Sequence, residues 1–141
     1  MRKSLLVLII GASVTGLFVR AQTTNTKRPF DHGPSSSATN VIAVPEAKNL
    51  MLFFALTNTS GSAINPLVTE SSLRVNGKEM TDWPFTVANG PRDSRWKSLP
   101  PGDHLLFGYA MGEHFMSPGV YNVVWVVDGC PSKPLRISVR K

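Results

Sequence analysis

Short apolar runs separated by turn residues fill this chain from residue 40 onward, and they constrain its fold more than any other feature. The runs cover 40–44, 50–57, 72–75, 78–80, 104–111, 120–127 and 135–139. Each run has the length of a β-strand, and Gly, Pro, Asn or Ser residues separate it from the next. No apolar stripe with helical spacing follows Ala21. The sequence therefore predicts an all-β fold, an antiparallel β-sandwich or barrel of about seven strands.

Local patterns support this prediction at three places. Asn76-Gly77 lies between two of the runs, and this dipeptide supplies the positive φ angles that a two-residue hairpin turn requires. In a strand over 121–127, Tyr121, Val123, Trp125 and Val127 share one face. In 135–139, Leu135, Ile137 and Val139 point one way, and Arg136 and Ser138 point the other. Alternation of this kind is typical of antiparallel strands that bury one face.

The N-terminus has the pattern of a secretory signal peptide. Arg2 and Lys3 precede the apolar segment Leu5–Val19, and small residues then favour cleavage between Ala21 and Gln22. An uncleaved membrane anchor is the alternative, but a spanning helix needs about 20 apolar residues, more than this segment offers. We therefore predict a secreted or periplasmic protein whose mature form has no stable membrane span.

Charge and composition divide the chain into three parts. We predict a signal peptide at 1–21, a flexible linker or tail rich in Ser, Thr and Pro at 22–39, and the β-sandwich domain at 40–141. The net charge of the whole chain is +6, but three basic residues lie in the predicted signal peptide and all the acidic residues follow it. The basic residues are scattered rather than gathered on one element, so nucleic acid is not an expected partner.

Cys130 is the only cysteine, which excludes an intrachain disulfide. It lies in the turn sequence Asp128-Gly129-Cys130-Pro131, where no basic or His neighbour would lower its pKa. We expect a free thiol, with pairing to another chain as the alternative.

Three segments resemble parts of secreted immunoglobulin-like and fibronectin-type-III-like modules. They are Leu56–Ser60, Leu99–Asp103 and Pro118–Trp125. The resemblance implies an immunoglobulin-like β-sandwich in which Tyr121 bonds back to the preceding corner, as a tyrosine corner. A looser similarity connects the chain with small bacterial proteinase-inhibitor domains.

The connection at 81–98 is the strongest candidate for a binding site. Trp and Arg are typical anchors of recognition surfaces, and long loops in compact domains often carry function. The candidate binding residues are Trp83, Phe85, Arg92, Arg95 and Trp96. The alternatives are that Trp83 and Phe85 close one end of the sandwich, or that part of the connection is an edge strand, because Phe85-Thr86-Val87 is β-prone.

Motifs for catalysis are weak. Asp103-His104 and Glu113-His114 contain metal-ligand types, but a strand of roughly 33 Å would separate the two pairs. No Gly-x-Ser-x-Gly elbow or phosphate-binding glycine motif is present. Asn58-Thr59-Ser60 matches an N-glycosylation sequon, although the same residues make a good turn.

These observations favour a non-enzymatic secreted module that contacts a protein or polysaccharide outside the cytoplasm, through the 81–98 loop or an edge strand. We expect no cofactor, no catalytic residues and no metal site. An inhibitor of a secreted or periplasmic hydrolase is one alternative, and a small metal-dependent enzyme that uses His104 and His114 is another.

Overall fold

The computed structural model describes residues 5–13, 39–90 and 92–141. Most of the predicted linker lies outside the described residues, as do several residues of the predicted signal peptide. The strands are β1 (Leu5–Ser13), β2 (Thr39–Ala43), β3 (Met51–Asn58), β4 (Ser72–Val75), β5 (Lys78–Glu79), β6 (His104–Ala110), β7 (Gly119–Val127), β8 (Cys130–Pro131) and β9 (Leu135–Arg140). Helices α1 (Val44–Ala47) and α2 (Trp83–Asn89) and short 3-10 turns connect them.

The strands form the two sheets of an all-β sandwich, as predicted. One sheet has the order β1-β3-β6 and the other β2-β9-β7-β4-β5, with β8 added beside β7. The prediction of antiparallel strands is wrong for one pair, because β2 lies parallel to β9. Parallel pairing needs a long connection between the strands, and here nearly the whole domain separates them.

Alternation along the strands places one face of each sheet in the core. Side chains of β3 alternate between half-buried and buried, and β9 buries Leu135, Ile137 and Val139 while its other residues face outward. The rings of Trp125 and Phe107 lie 5.3 and 5.5 Å from that of Phe54. This aromatic cluster joins the two sheets.

Two turn predictions are confirmed. Asn76 and Gly77 have φ angles of 51° and 80° and connect β4 with β5. The Tyr121 hydroxyl donates a hydrogen bond of 2.8 Å to the Ser117 carbonyl oxygen, four residues upstream. This bond fixes the corner that leads into β7.

The N-terminal strand falls within the predicted signal peptide. In the full chain, β1 pairs antiparallel with β3 from Leu5 opposite Asn58 to Ser13 opposite Met51, with an irregularity between Ile9 and Gly11. The pairing concerns the uncleaved chain, so cleavage after Ala21 stays a prediction.

Candidate functional site

Residues 81–98 form a folded cap on the sandwich that contains helix α2. The expectation that this part of the chain contains no helix is wrong, as is the suggested edge strand at Phe85–Val87. Pro84 stands in the first helical turn, where its fixed φ suits the helix and its missing N–H costs nothing. Trp83 and Val87, one turn apart, are both buried, so tertiary packing outweighs the β propensity of the segment.

Trp83 is a core residue. Its side chain is fully buried, and its ring lies 5.0 Å from Phe54 and 5.9 Å from Tyr109. The indole Nε1 donates a hydrogen bond of 3.0 Å to Ser71 Oγ, and that hydroxyl donates in turn to the Val68 carbonyl. The expectation that Trp83 supplies exposed aromatic contact area is therefore wrong, because no part of the ring reaches the surface.

Trp96 is nearly buried and anchors the second half of the cap. Its ring lies 4.9 Å from that of Phe107, and the Arg92 guanidinium stands 5.8 Å above its centroid. Arg92 Nη2 also donates to the carbonyl oxygens of Val87 and Ala88. Arg92 thus has two roles: it bonds to carbonyl oxygens at the C-terminal end of α2, and its guanidinium covers the Trp96 ring.

Asp93 and Arg95 form an exposed ion pair at the start of a 3-10 turn. Asp93 accepts from the Arg95 backbone N–H, while Arg95 Nε and Nη2 donate to its second oxygen at 2.9 and 2.5 Å. Hydrogen bonding to the guanidinium lowers the pKa of Asp93, and the same contact raises the pKa of Arg95. Arg95 Nη1 donates to the His104 carbonyl oxygen, which ties the turn to β6.

A depression of about 340 Å³ lies between this turn and β6. We call it the Arg95 surface, and its lining includes Arg92, Asp93, Arg95, Trp96 and residues 105–109 of β6. Leu106 in this lining is 53% exposed. A second depression, of about 330 Å³, shares Arg92, Asp93 and Trp96 with the first and extends toward residues 65–70.

Apart from the buried Trp83, the predicted binding residues separate into two groups. Arg92, Arg95 and Trp96 share the Arg95 surface, whereas Phe85 stands on α2 with 73% of its area exposed. Sequence reasoning missed Leu106. The signal was the pair Leu105-Leu106, because two successive apolar residues in a strand point to opposite faces, and Leu105 is the buried one.

The two histidines among the described residues pair with carboxylates at separate places. His114 Nε2 lies 3.1 Å from an Asp82 oxygen, and His104 Nδ1 lies 3.8 Å from one of Asp103. Among residues 5–13, 39–90 and 92–141, no three His, Cys, Asp or Glu side chains are grouped as metal ligands would be.

Cys130 is half-buried beside the Asp128-Gly129 turn and forms no disulfide within the described chain.

Asn58 is a structural residue rather than an accessible glycosylation acceptor. Its side chain is fully buried, and Nδ2 donates at 2.8 Å to the carbonyl oxygens of Ser62 and Leu99. Its Oδ1 accepts from the backbone N–H and the hydroxyl of Ser60. The sequon nitrogen is thus fully engaged in the folded domain, and it joins the turn after β3 to the turn before β6.

Comparison with known proteins finds solved structures of low sequence identity. No family model matches the chain, and no curated protein matches it. The crystal structure of the CARDB domain of the PF1109 protein from Pyrococcus furiosus, in complex with di-metal ions, is 14% identical with a TM-score of 0.49. That match covers 97% of this chain and 93% of the other. The solution NMR structure of the same domain is 17% identical with a TM-score of 0.41, over 71% of this chain and 85% of that one.

None of the helices in the described parts of the chain has the length and apolar character to cross a membrane.

Proposed function

We propose that this chain is an exported, non-catalytic β-sandwich module that recognises another macromolecule through the Arg95 surface. The signal-peptide pattern supports export. The observation that carries the proposal is the presence of an exposed apolar side chain, Leu106, and a fixed exposed cation, Arg95, in one depression. Such a pair suits a ligand that places an apolar group beside a carboxylate.

The chemistry of Arg95 supports an acidic ligand group. A guanidinium has five N–H groups. The N–H at Nε and one N–H at Nη2 bond to Asp93, and one N–H at Nη1 bonds to the His104 carbonyl oxygen. The remaining N–H groups are available to a carboxylate, and the side chain is 41% exposed. Because Asp93 already holds the guanidinium in place, little rotamer entropy remains to be lost on binding.

Contacts within the cap also hold the residues beneath the Arg95 surface in place. Trp96 is anchored in the core, Arg92 covers it, and the 3-10 turn between them is capped by Asp93. In this proposal Trp96 and Trp83 support the surface from below, while Arg92, Arg95 and Leu106 touch the ligand. Phe85 extends the contact area to larger partners.

An array of short peptides that vary in charge and apolar content tests the proposal. We expect the processed domain to prefer peptides with a carboxylate next to an apolar side chain. The affinity for these peptides should fall as the salt concentration rises. Leu106→Ser and Arg95→Gln should each weaken binding about tenfold or more. Val120→Ser, which changes an exposed apolar residue on β7, is the matched control and should bind as the parent does. Equal binding by the parent and Leu106→Ser would refute the assignment.

A further inference from the structure

Strand β3 is paired on both sides in the full chain, by β6 on one side and by β1 on the other. All of β1 lies inside the predicted signal peptide. Cleavage after Ala21 would remove β1 and leave one edge of β3, eight residues long, without its partner. The N–H and C=O groups along such an edge are a template for another strand.

The chain protects a different edge strand in the usual way but leaves β3 unprotected. Edge strand β5 is two residues long, and both residues, Lys78 and Glu79, are charged and exposed. Short length and charge are devices that prevent unwanted pairing at an edge. The sequence of β3, Met-Leu-Phe-Phe-Ala-Leu-Thr-Asn, contains no charged residue and no proline.

Packing also holds β3 in a fixed extended form. With β1 removed, β3 stays paired with β6 along Met51–Thr57. Phe54 keeps its ring contacts with Trp83, Phe107 and Trp125, all of which lie outside β1. Residues between the buried positions of β3, including Ala55, are half-buried on the outer face. The edge would thus stay extended and ready to accept a strand.

We propose that two processed chains associate through their β3 edges, antiparallel about a two-fold axis, so that β6-β3-β3-β6 becomes one continuous sheet. In such a symmetric contact each chain presents the same strand. The absence of charge in β3 means that no like charges oppose each other across the axis. The pairing of Leu5–Ser13 along this edge demonstrates that it accepts an antiparallel apolar strand.

The chain's own tail is a poorer occupant than a second copy. Residues 22–38 include two prolines, two basic residues and few apolar ones. Proline cannot donate to a strand ladder, and charge opposes pairing with an apolar edge. In this proposal the uncleaved signal peptide blocks association by occupying the edge, and processing permits it.

Sedimentation of two forms tests the proposal. The full chain and the chain beginning at Gln22 are made by cell-free synthesis without membranes or signal peptidase, so that neither is processed. We expect a monomer for the full chain and a dimer, with twice the mass, for the chain beginning at Gln22. A peptide with the sequence of Leu5–Ser13, carrying terminal lysines for solubility, should convert the dimer to monomer.

Two substitutions locate the contact. Ala55 and Leu106 are register partners on the outer face, but Ala55 lies on β3 and Leu106 on β6, one strand further from the exposed edge. Ala55→Lys should give a folded monomer, whereas Leu106→Lys, the matched control, should stay a dimer. If Ala55→Lys fails to fold, Thr57→Lys serves in its place. Because Leu106→Lys alters the Arg95 surface and spares the β3 edge, failure of one proposal is distinguishable from failure of the other.

Three results would overturn the proposal. They are a monomeric chain beginning at Gln22, a dimer that persists in the folded β3 lysine variant, and an exported protein whose intact mass still includes residues 1–21. The last result would mean that β1 remains on the edge.

Discussion

Asn58→Asp is the substitution whose effect the structure specifies most closely. The two side chains have nearly the same size and shape, so the change leaves the packing of the core intact. It replaces the Nδ2 donor group, which bonds to the Ser62 and Leu99 carbonyl oxygens, with a carboxylate oxygen. The other oxygen keeps its two donors from Ser60.

The cost at neutral pH follows from these contacts. The Leu99 carbonyl loses its bond from Asn58 but keeps the Ile64 N–H as a donor, so this loss costs about 1 kcal/mol. An unpaired buried charge costs about 3–5 kcal/mol, and the retained Ser60 donors offset part of that penalty. We therefore expect a loss of about 3–4 kcal/mol in the free energy of unfolding, a large part of the 5–15 kcal/mol typical of a domain.

The cost should depend on pH with a definite sign. The protonated aspartic acid restores one donor, so the loss at low pH falls to about 1–2 kcal/mol. A difference of about 2 kcal/mol corresponds to a pKa raised by roughly 1.5 units in the folded variant. Because the folded pKa is raised, the variant is most stable below about pH 4 and loses stability as pH rises through about 5.5.

Urea unfolding, followed by tryptophan fluorescence between pH 4 and 7, measures this effect against the parent at each pH. Asn49→Asp, at an exposed position, introduces the same charge and is the control. A loss within about 0.5 kcal/mol of the control, or one that does not change with pH, would refute the buried position of Asn58.

Two further predictions concern close packing and burial. Gly112→Ala should lower the free energy of unfolding by about 1–3 kcal/mol, because a Cβ there would collide with the backbone carbonyl of Ala47. Gly61→Ala, where no atom lies close, should change it by less than about 0.5 kcal/mol, and equal losses in chemical denaturation would contradict the packing. Burial raises the pKa of Tyr109, so phenolate absorbance in Tyr121→Phe, which retains one tyrosine, should titrate above the usual value near 10. Stability should then fall as pH rises past about 10, since the unfolded chain ionises first, and a midpoint at or below 10 would contradict the burial.

Local stereochemistry made much of the sandwich predictable from sequence. Asn76-Gly77 specifies its hairpin because these residues tolerate the φ angles that the turn imposes. Strand β9 was predictable because it buries one face, which leaves a two-residue period in its sequence. Strand β7 was predictable as a run of apolar residues of strand length, and its burial alternates from Val123 to Val127. The Tyr121 hydrogen bond was also predictable, because its acceptor lies in a corner only four residues away in the sequence.

Long-range packing decided the parts that the sequence did not predict. Phe85-Thr86-Val87 is β-prone, yet it is helical because the core accepts Trp83 and Val87 one helical turn apart. For the candidate site, the segment was predicted but not which side chains face outward. Burial of an indole depends on neighbours such as Phe54, which lies far away in the sequence.

The parallel contact between β2 and β9 has a consequence for how the domain is made. Thr39 pairs with Arg136 and Ala43 with Arg140, so nearly the whole of the described domain lies between β2 and its partner strand. A ribosome releases β2 long before β9 exists, and contacts so distant in sequence slow folding. One side of the larger sheet therefore closes only after β9 has left the ribosome, and loss of β9 would expose β2 along its whole length.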